Sequence, residues 1–308
     1  MLIHVDKLTK AYRDVVALRD CSLSVGRGEI FGLLGPNGAG KTTFIRLLLG
    51  FIRPTSGVAQ VDGLDCYRDA VRVHEKTAYL PGDVRLFRRM TAVGYLEFVC
   101  ALRQRASLDQ ALQLADELDL DMRRRVAYMS TGMRQKLALV GTLAANADLI
   151  ILDEPTANLD PNVRATVGHK IREVAAAGTT VLFSSHVLPE VEAICDRVAI
   201  MKSGELATLQ RIEDLLLEHR MVVQVERSQF SIPEHLQRQV TVLHQSDDQV
   251  VLQTPASLTD LLGWLSAMPV TELEITRVGL QSLYDDVHPP ATARAARRQP
   301  DDLLTGAV

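Results

Sequence analysis

The stretch EIFGLLGPNGAGKTTFIRLLLG, Glu29 to Gly50, decides how the rest of the chain is read. Its opening residues Ile30, Phe31, Leu33 and Leu34 have strand character, a glycine-rich turn follows, and Phe44, Ile45, Leu47, Leu48 and Leu49 then recur at helical spacing. Strand, glycine loop and helix in that order form the context a phosphate-binding loop requires. Within GPNGAGKTT, Gly35, Gly38 and Gly40 let the backbone bend so that successive N–H groups point at an anion, with Pro36, Asn37 and Ala39 completing the loop. The helix beginning near Lys41 adds the positive end of its dipole. This reading assigns Lys41 to the β- and γ-phosphates of a nucleotide, the Thr42 hydroxyl to Mg²⁺ and Thr43 to the α-phosphate.

A phosphate loop that supports hydrolysis needs a carboxylate for Mg²⁺ and a base for the attacking water. ADLIILDEPT, Ala147 to Thr156, supplies adjacent acids at the end of a continuous apolar run. Such a run, rather than an alternating one, fits a strand buried on both faces of a mostly parallel sheet. Asp153 is therefore assigned to the metal and Glu154 to the water.

The surrounding chain alternates in type. Residues 2 to 30 read as antiparallel strands, with Tyr12 in the loop KAYRD between two of them. Short strands at GVAQVDG and TAYLPG follow the first helix. From about Asp83 to Asn146 the periodicity is helical, and Ser107 with Gln110 resembles a capping box. Beyond Glu154, VRATVGHKIREVAAAG predicts a helix closed by Gly178, TTVLFSS a buried strand, HVLPEVEAICD a helix and DRVAIM a strand, with a hairpin turn at KSGEL. This alternation argues an α/β core. From about His219 a smaller unit of strands begins, with helices at SLTDLLGWLSAM and GLQSLYDDV and a hairpin turn at Ser246–Asp248. The stretch from Pro289, containing Arg294, Arg297 and Arg298, reads as a solvated, disordered tail.

Composition bounds the function. In 308 residues, 47% are apolar, enough for a real core, so the chain as a whole is not disordered. A net charge of −4 lacks the basic footprint of a protein that grips nucleic acid, and none is expected as a partner. Cys21, Cys66, Cys100 and Cys195 are scattered with no C-x-x-C, so they read as buried apolar residues in a reducing compartment. The start lacks a signal-peptide pattern and no run of about 18 apolar residues occurs, so any link to a membrane is expected to run through a partner.

Taken together, residues 2 to 220 resemble the nucleotide-binding subunits of ABC transporters. Tyr12 matches the aromatic on which adenine stacks, GPNGAGKTT the Walker A loop and LIILDEP the Walker B strand. ANLD, ending at Asp160, is similar to the D-loop, and SSH, ending at His186, to the switch histidine. YMSTGMRQKL, Tyr128 to Leu137, stands where the family signature LSGGQ usually does.

The resemblance implies an α/β fold with a P-loop NTPase core over residues 1–220. That core is a mostly parallel sheet with an antiparallel β subdomain and a helical insert at about 83–146. A small α/β domain at 221–288 and the tail at 289–308 follow. It further implies an ATPase that works with Mg²⁺ as a homodimer or paired with a similar subunit, in the cytoplasm at the inner face of the membrane. Its partner there is a separately encoded integral-membrane permease. Catalysis is carried by Glu154, His186 and Lys41. Ser130 and Gly132, at the start of a helix from about Thr131 to Ala145, are implied to contact the partner copy's nucleotide, where free N–H groups and the dipole favour an anion. Asp160 is implied to link the two sites.

Two departures qualify this. Thr131 and Met133 replace signature residues, and S-x-G-M-R-Q-K resembles the variant of subunits serving ABC-2-type exporters. Gly82 stands where the family usually has a Mg²⁺-binding glutamine, leaving water, Asp83 or a looser link in its place. The rivals are an ABC-type ATPase without a permease, for translation or DNA repair, and a P-loop kinase or GTPase. A GTPase would need a guanine-reading N-K-x-D, and none occurs.

Overall fold

The computed structural model describes residues 1–225, 230–254 and 258–288, so the tail expected at 289–308 lies outside the described residues. The chain divides into two compact units, Met1–Leu209 and Gln210–Val308. The division falls about ten residues before the expected boundary at 220.

The first unit opens with β1 (Ile3–Tyr12) and β2 (Val15–Val25), an antiparallel pair, so Tyr12 ends a strand instead of lying in a loop. β3 (Ile30–Leu34) leads through the glycine turn into α1 (Lys41–Leu48). β4 (Ser56–Val61) and the two-residue β5 (Leu64–Asp65) complete an antiparallel sheet of order β2-β1-β4-β5. After α2 (Ala70–Lys76) and β6 (Thr77–Leu80) comes the helical insert. It comprises α3 (Ala92–Ala101), α4 (Leu108–Glu117), a 3-10 turn at Val126–Tyr128 and α5 (Thr131–Leu143), which stops two residues before the expected end. Ser107 caps α4 by accepting from Gln110 N at 3.3 Å, but its own N–H goes to Ala144 O, so only half of a capping box forms.

β7 (Leu149–Asp153), α6 (Pro161–Ala176), β8 (Thr180–Ser185), α7 (Leu188–Ile194), β9 (Arg197–Lys202) and β10 (Glu205–Arg211) follow. Gly178, just past α6, takes the left-handed φ of 103° that ends a helix. Strands β3, β7, β8 and most of β9 are buried, as their continuous apolar composition requires. They sit in a six-stranded sheet of order β10-β9-β3-β8-β7-β6.

Side chains alternate across that sheet. Phe31, Leu33, Ile151 and Leu182 join Phe44, Ile45 and Leu47 of α1, and Ile3, Val5 and Leu18 of the antiparallel sheet, in one core cluster. α1 is thus apolar on both sides because it is covered on both. On the other face Gly32 approaches Val191 and Cys195, so α7 packs against β3 there. Full burial of each large side chain in this core contributes about 1.5–3 kcal/mol.

The second unit carries a short α8 (Ile212–Leu216) and then β11 (His219–Gln224), β12 (Thr241–Gln245), β13 (Gln249–Thr254), α9 (Thr259–Ser266), β14 (Glu272–Arg277) and α10 (Leu280–Val287). The strands form an antiparallel sheet of order β12-β13-β11-β14. Met221, Val223, Val250 and Leu252 pack against Leu261 and Leu265 of α9.

Cys21, Cys66 and Cys195 are buried and Cys100 half-buried, all unpaired. Burial pushes the Cys21 thiol up to about 11 and that of Cys66 up to about 12, and raises Cys195 and Cys100 as well. Because only the thiolate reacts, the three buried cysteines should stay unmodified by a disulfide-exchange reagent at pH 8, and unfolding should release all four. Rapid reaction of three thiols in the native chain would contradict this burial.

Candidate active site

The site begins at strand ends. β3, β7 and β8 are parallel neighbours in a register that pairs Asp153 with Ser184 and Leu34 with Ser185. The carboxyl ends of these strands therefore deliver the glycine loop, the Asp-Glu pair and the SSH stretch to one edge, where ligands of open α/β sheets bind.

The loop needs glycine at Gly40. Its φ is 110°, and a Cβ there would stand 2.9 Å from Ala17 O and 3.0 Å from Met201 Cε. Lys41 is buried, at 7% exposure. Its ammonium donates to Gly35 O at 2.5 Å and Pro36 O at 3.4 Å, and stands 4.0 Å from Glu154 Oε1. Burial lowers the Lys41 pKa below the usual lysine value, opposed by the charges of Glu154 and Asp153.

Asp153 is also buried, which raises its pKa above the usual carboxylate range, partly offset by a hydrogen bond from Ser184 and by Lys41 and Arg46. Ser184 Oγ donates to Asp153 Oδ1 at 2.9 Å, fixing the carboxylate's orientation. Glu154 sits in the left-handed region at φ 52°, uncommon for a residue with a Cβ. Its Oε2 is 2.7 Å from Nδ1 of the exposed His186. The general-base candidate and the switch-histidine candidate are thus in direct contact.

The phosphate loop, Asp153 and Glu154 open onto a cavity of about 870 Å³, lined by Pro36 to Gly38, Gly40 to Thr43, Arg46, Tyr79, Pro81 to Asp83, Asp153 and Glu154. Val15, Val16 and Ala17 of β2 and the turn residues Ser203 and Gly204 complete its wall. Arg46, Ser184 and these two wall segments escape sequence reasoning. Arg46 looks like one polar position of a helix, and the walls come from parts of the chain far apart.

Several expected residues do not line it. Tyr12 is exposed, with the Lys10 ammonium 4.8 Å from its ring centroid, and is not part of the wall. Ser130, Gly132, Asp160 and His186 are likewise absent from it. Ser130 N-caps α5, its side chain accepting from Met133 N at 3.2 Å, as the capping role of serine predicts. Asp160 N-caps α6 without a side-chain cap bond and is exposed, with Pro161 in the first turn.

At the glutamine position, a Cβ on Gly82 would lie 3.7 Å from Asp153 Oδ2. Asp83 is turned to Arg85 instead, at 2.8 Å from Nε and 2.7 Å from Nη2.

A phosphate loop, a buried Asp and an adjacent Glu paired to a histidine, all at the carboxyl ends of parallel strands, define a P-loop nucleotide hydrolase. Residues 18–157 match the family model described as ABC transporter. The chain is 36% identical over 213 residues to the ABC transporter ATP-binding protein NatA of Bacillus subtilis, covering 67% of this chain and 86% of that one. It is 36% identical over 222 residues to the daunorubicin resistance ATP-binding protein DrrA3 of Streptomyces coeruleorubidus, covering 70% of each.

A solved ATP-binding subunit of an ABC transporter superposes with a TM-score of 0.66 at 27% identity, covering 70% of this chain and 92% of that one. A dimeric ATP-binding cassette in a post-hydrolysis state superposes at 0.63 with 21% identity, over 68% and 99% of the two chains, and supports the fold. The chain belongs to the ATP-binding subunits of ABC transporters, and it is an ATPase of that family.

Proposed function

We propose that this ATPase powers export through a separately encoded integral-membrane permease, at the cytoplasmic face of the membrane. Two copies, or one copy and a similar subunit, close head to tail around two ATP molecules, and hydrolysis reopens them. The observation that carries this reading is a separation within one chain. The cavity holds the phosphate loop, Asp153 and Glu154, whereas Ser130 and Gly132 stand outside it at the N-terminus of the 13-residue helix α5. An anion is favoured at such a terminus by free N–H groups and the dipole, so a second copy's γ-phosphate fits there.

The relatives support the direction of transport. Besides NatA and DrrA3, the chain is 33% identical over 208 residues to a Nod factor export ATP-binding protein of Paraburkholderia xenovorans. An ATPase of this family without a permease gains nothing from these names. No helix among the described residues is long and apolar enough to cross a membrane, so a transport path is sought in a partner. The helical insert offers a surface for it. Phe87 and Phe98 are exposed and stack edge to face with centroids 5.4 Å apart.

In the proposed chemistry Lys41 and the loop N–H groups bind the β- and γ-phosphates of ATP, and Thr43 the α-phosphate. Glu154 accepts a proton from water as it attacks the γ-phosphorus, the bond from that phosphorus to the β,γ-bridging oxygen breaks and ADP leaves with phosphate, and His186, tied to Glu154, orients the Glu154 carboxylate. Thr42 and Asp153 would hold Mg²⁺. The fit is chemical: a hydroxyl and a carboxylate are hard oxygen donors, and Mg²⁺ sites of this kind use one or two protein ligands with substrate phosphates and water. Neutralising charge on the phosphate oxygens is the chemistry Mg²⁺ supplies there.

Ser130→Arg should leave ATP affinity of the isolated monomer within about two-fold while abolishing ATP-induced dimerisation, read by light scattering in the Glu154→Gln background. Weaker binding to the monomer would mean that Ser130 acts on its own chain's nucleotide. Co-purification from membranes with a polytopic partner tests the permease assignment, and recovery of the chain without one would count against it.

A further inference from the structure

Gln135 lies on α5, one turn beyond Ser130–Gly132, and is 2% exposed. An amide at a helix-packing position is costly unless it is hydrogen-bonded, and an apolar residue of the same size would pack there at less cost. Its bonds go to a particular place. Nε2 donates to Pro155 O at 2.9 Å and reaches Glu154 O at 3.4 Å. Both carbonyls belong to the turn that presents the Glu154 carboxylate.

That turn is strained. Glu154 has φ 52° and Asn158 φ 61°. Left-handed residues with a Cβ cost about 1–3 kcal/mol and persist only where the surroundings over-determine them. Backbone bonds supply part of the restraint: Glu154 N donates to Ser184 O at 2.9 Å and Ala157 N to Glu154 O at 3.2 Å. The Gln135 amide supplies a side-chain restraint from another element. A second tie runs from the same helix, because a Cβ on Gly132 would stand 2.8 Å from Asn158 O, so only glycine lets α5 approach the turn that closely.

We propose that Gln135 is a positioning residue for hydrolysis. Its amide holds the Glu154 and Pro155 carbonyls so that the left-handed turn keeps the Glu154 carboxylate beside His186 and Lys41. Since Gln135 and Gly132 share one helix, the turn that carries the base moves with the signature helix of the same chain. The inference rests on Glu154 acting as the base.

The test is a double-mutant cycle on the full-length chain with Gln135→Met, which keeps length and loses the donor. With Glu154 present, single-turnover hydrolysis should slow about ten- to a hundred-fold while the calorimetric Kd for ATP stays within about two-fold. In the Glu154→Gln background the same substitution should change the residual rate by less than about two-fold, because the group it positions is already gone. A merely structural role would slow both backgrounds alike and would overturn the proposal, as would a parental rate in Gln135→Met. Should circular dichroism show Gln135→Met unfolded, Gln135→Leu runs the same cycle. If Glu154→Gln alone hydrolyses ATP at the parental rate, the base assignment falls and takes this proposal with it. A crippled Glu154→Gln beside an intact Gln135→Met removes the proposal alone.

Discussion

Glu154→Gln is expected to bind ATP with near-parental affinity and to hydrolyse it about a hundred to ten thousand times more slowly, the range a general base commonly contributes. The substitution keeps shape and removes only the proton acceptor. The carboxamide oxygen can still accept from His186 at the present 2.7 Å, so the histidine keeps a partner. The phosphate loop is untouched, because the Lys41 ammonium donates its hydrogen bonds to Gly35 O and Pro36 O and stands 4.0 Å from Glu154. Binding without turnover should accumulate the closed pair, visible as an ATP-dependent doubling of mass by light scattering. Phosphate release at the parental rate would refute the base assignment.

Lys41→Ala should act one step earlier and abolish nucleotide binding. Charge-assisted hydrogen bonds contribute about 1.5–3 kcal/mol each, so losing those to two phosphates predicts at least about a hundred-fold weaker Kd. A second effect adds to this. Lys41 is the ammonium that faces Glu154 and Asp153, and its charge lowers the pKa of the buried Asp153. Without it those carboxylates face the triphosphate with less compensation, leaving Arg46 as the other cation in the cavity wall. The fold should survive, since Phe44, Ile45, Leu47 and Leu48 keep α1 in the core. Calorimetry showing unchanged ATP affinity would overturn the account of the loop.

Much of this site was legible because its signals are local. Strand, glycine turn and helix lie within Glu29–Gly50, and the Asp-Glu pair ends an uninterrupted apolar run. Each can be read without knowing what lies opposite. A helix starting near Thr131 and Gly178 as a helix stop are likewise local backbone chemistry, and both occur as expected. The sheet that a strand joins is not such a local signal. Strand β10 belongs to the large sheet, yet it alternates in burial like the strands of the small unit that follow it. Its sequence does not announce which sheet it joins.

By itself, the sequence determined most of the elements and their order, because these follow from propensity, periodicity and short-range hydrogen bonding. Only the tertiary structure decided that Asp153 lies beside Ser184, that His186 touches Glu154, and that Val15 to Ala17 rather than Tyr12 wall the cavity. It alone set Gly82 against Asp153 and paired Asp83 with Arg85. These facts depend on strand order and register, which bring residues dozens of positions apart to one edge of a sheet. Gln135 is the clearest case: in the sequence it is one polar residue in a helix, and only the packing of α5 on the strained turn shows which two carbonyls it holds.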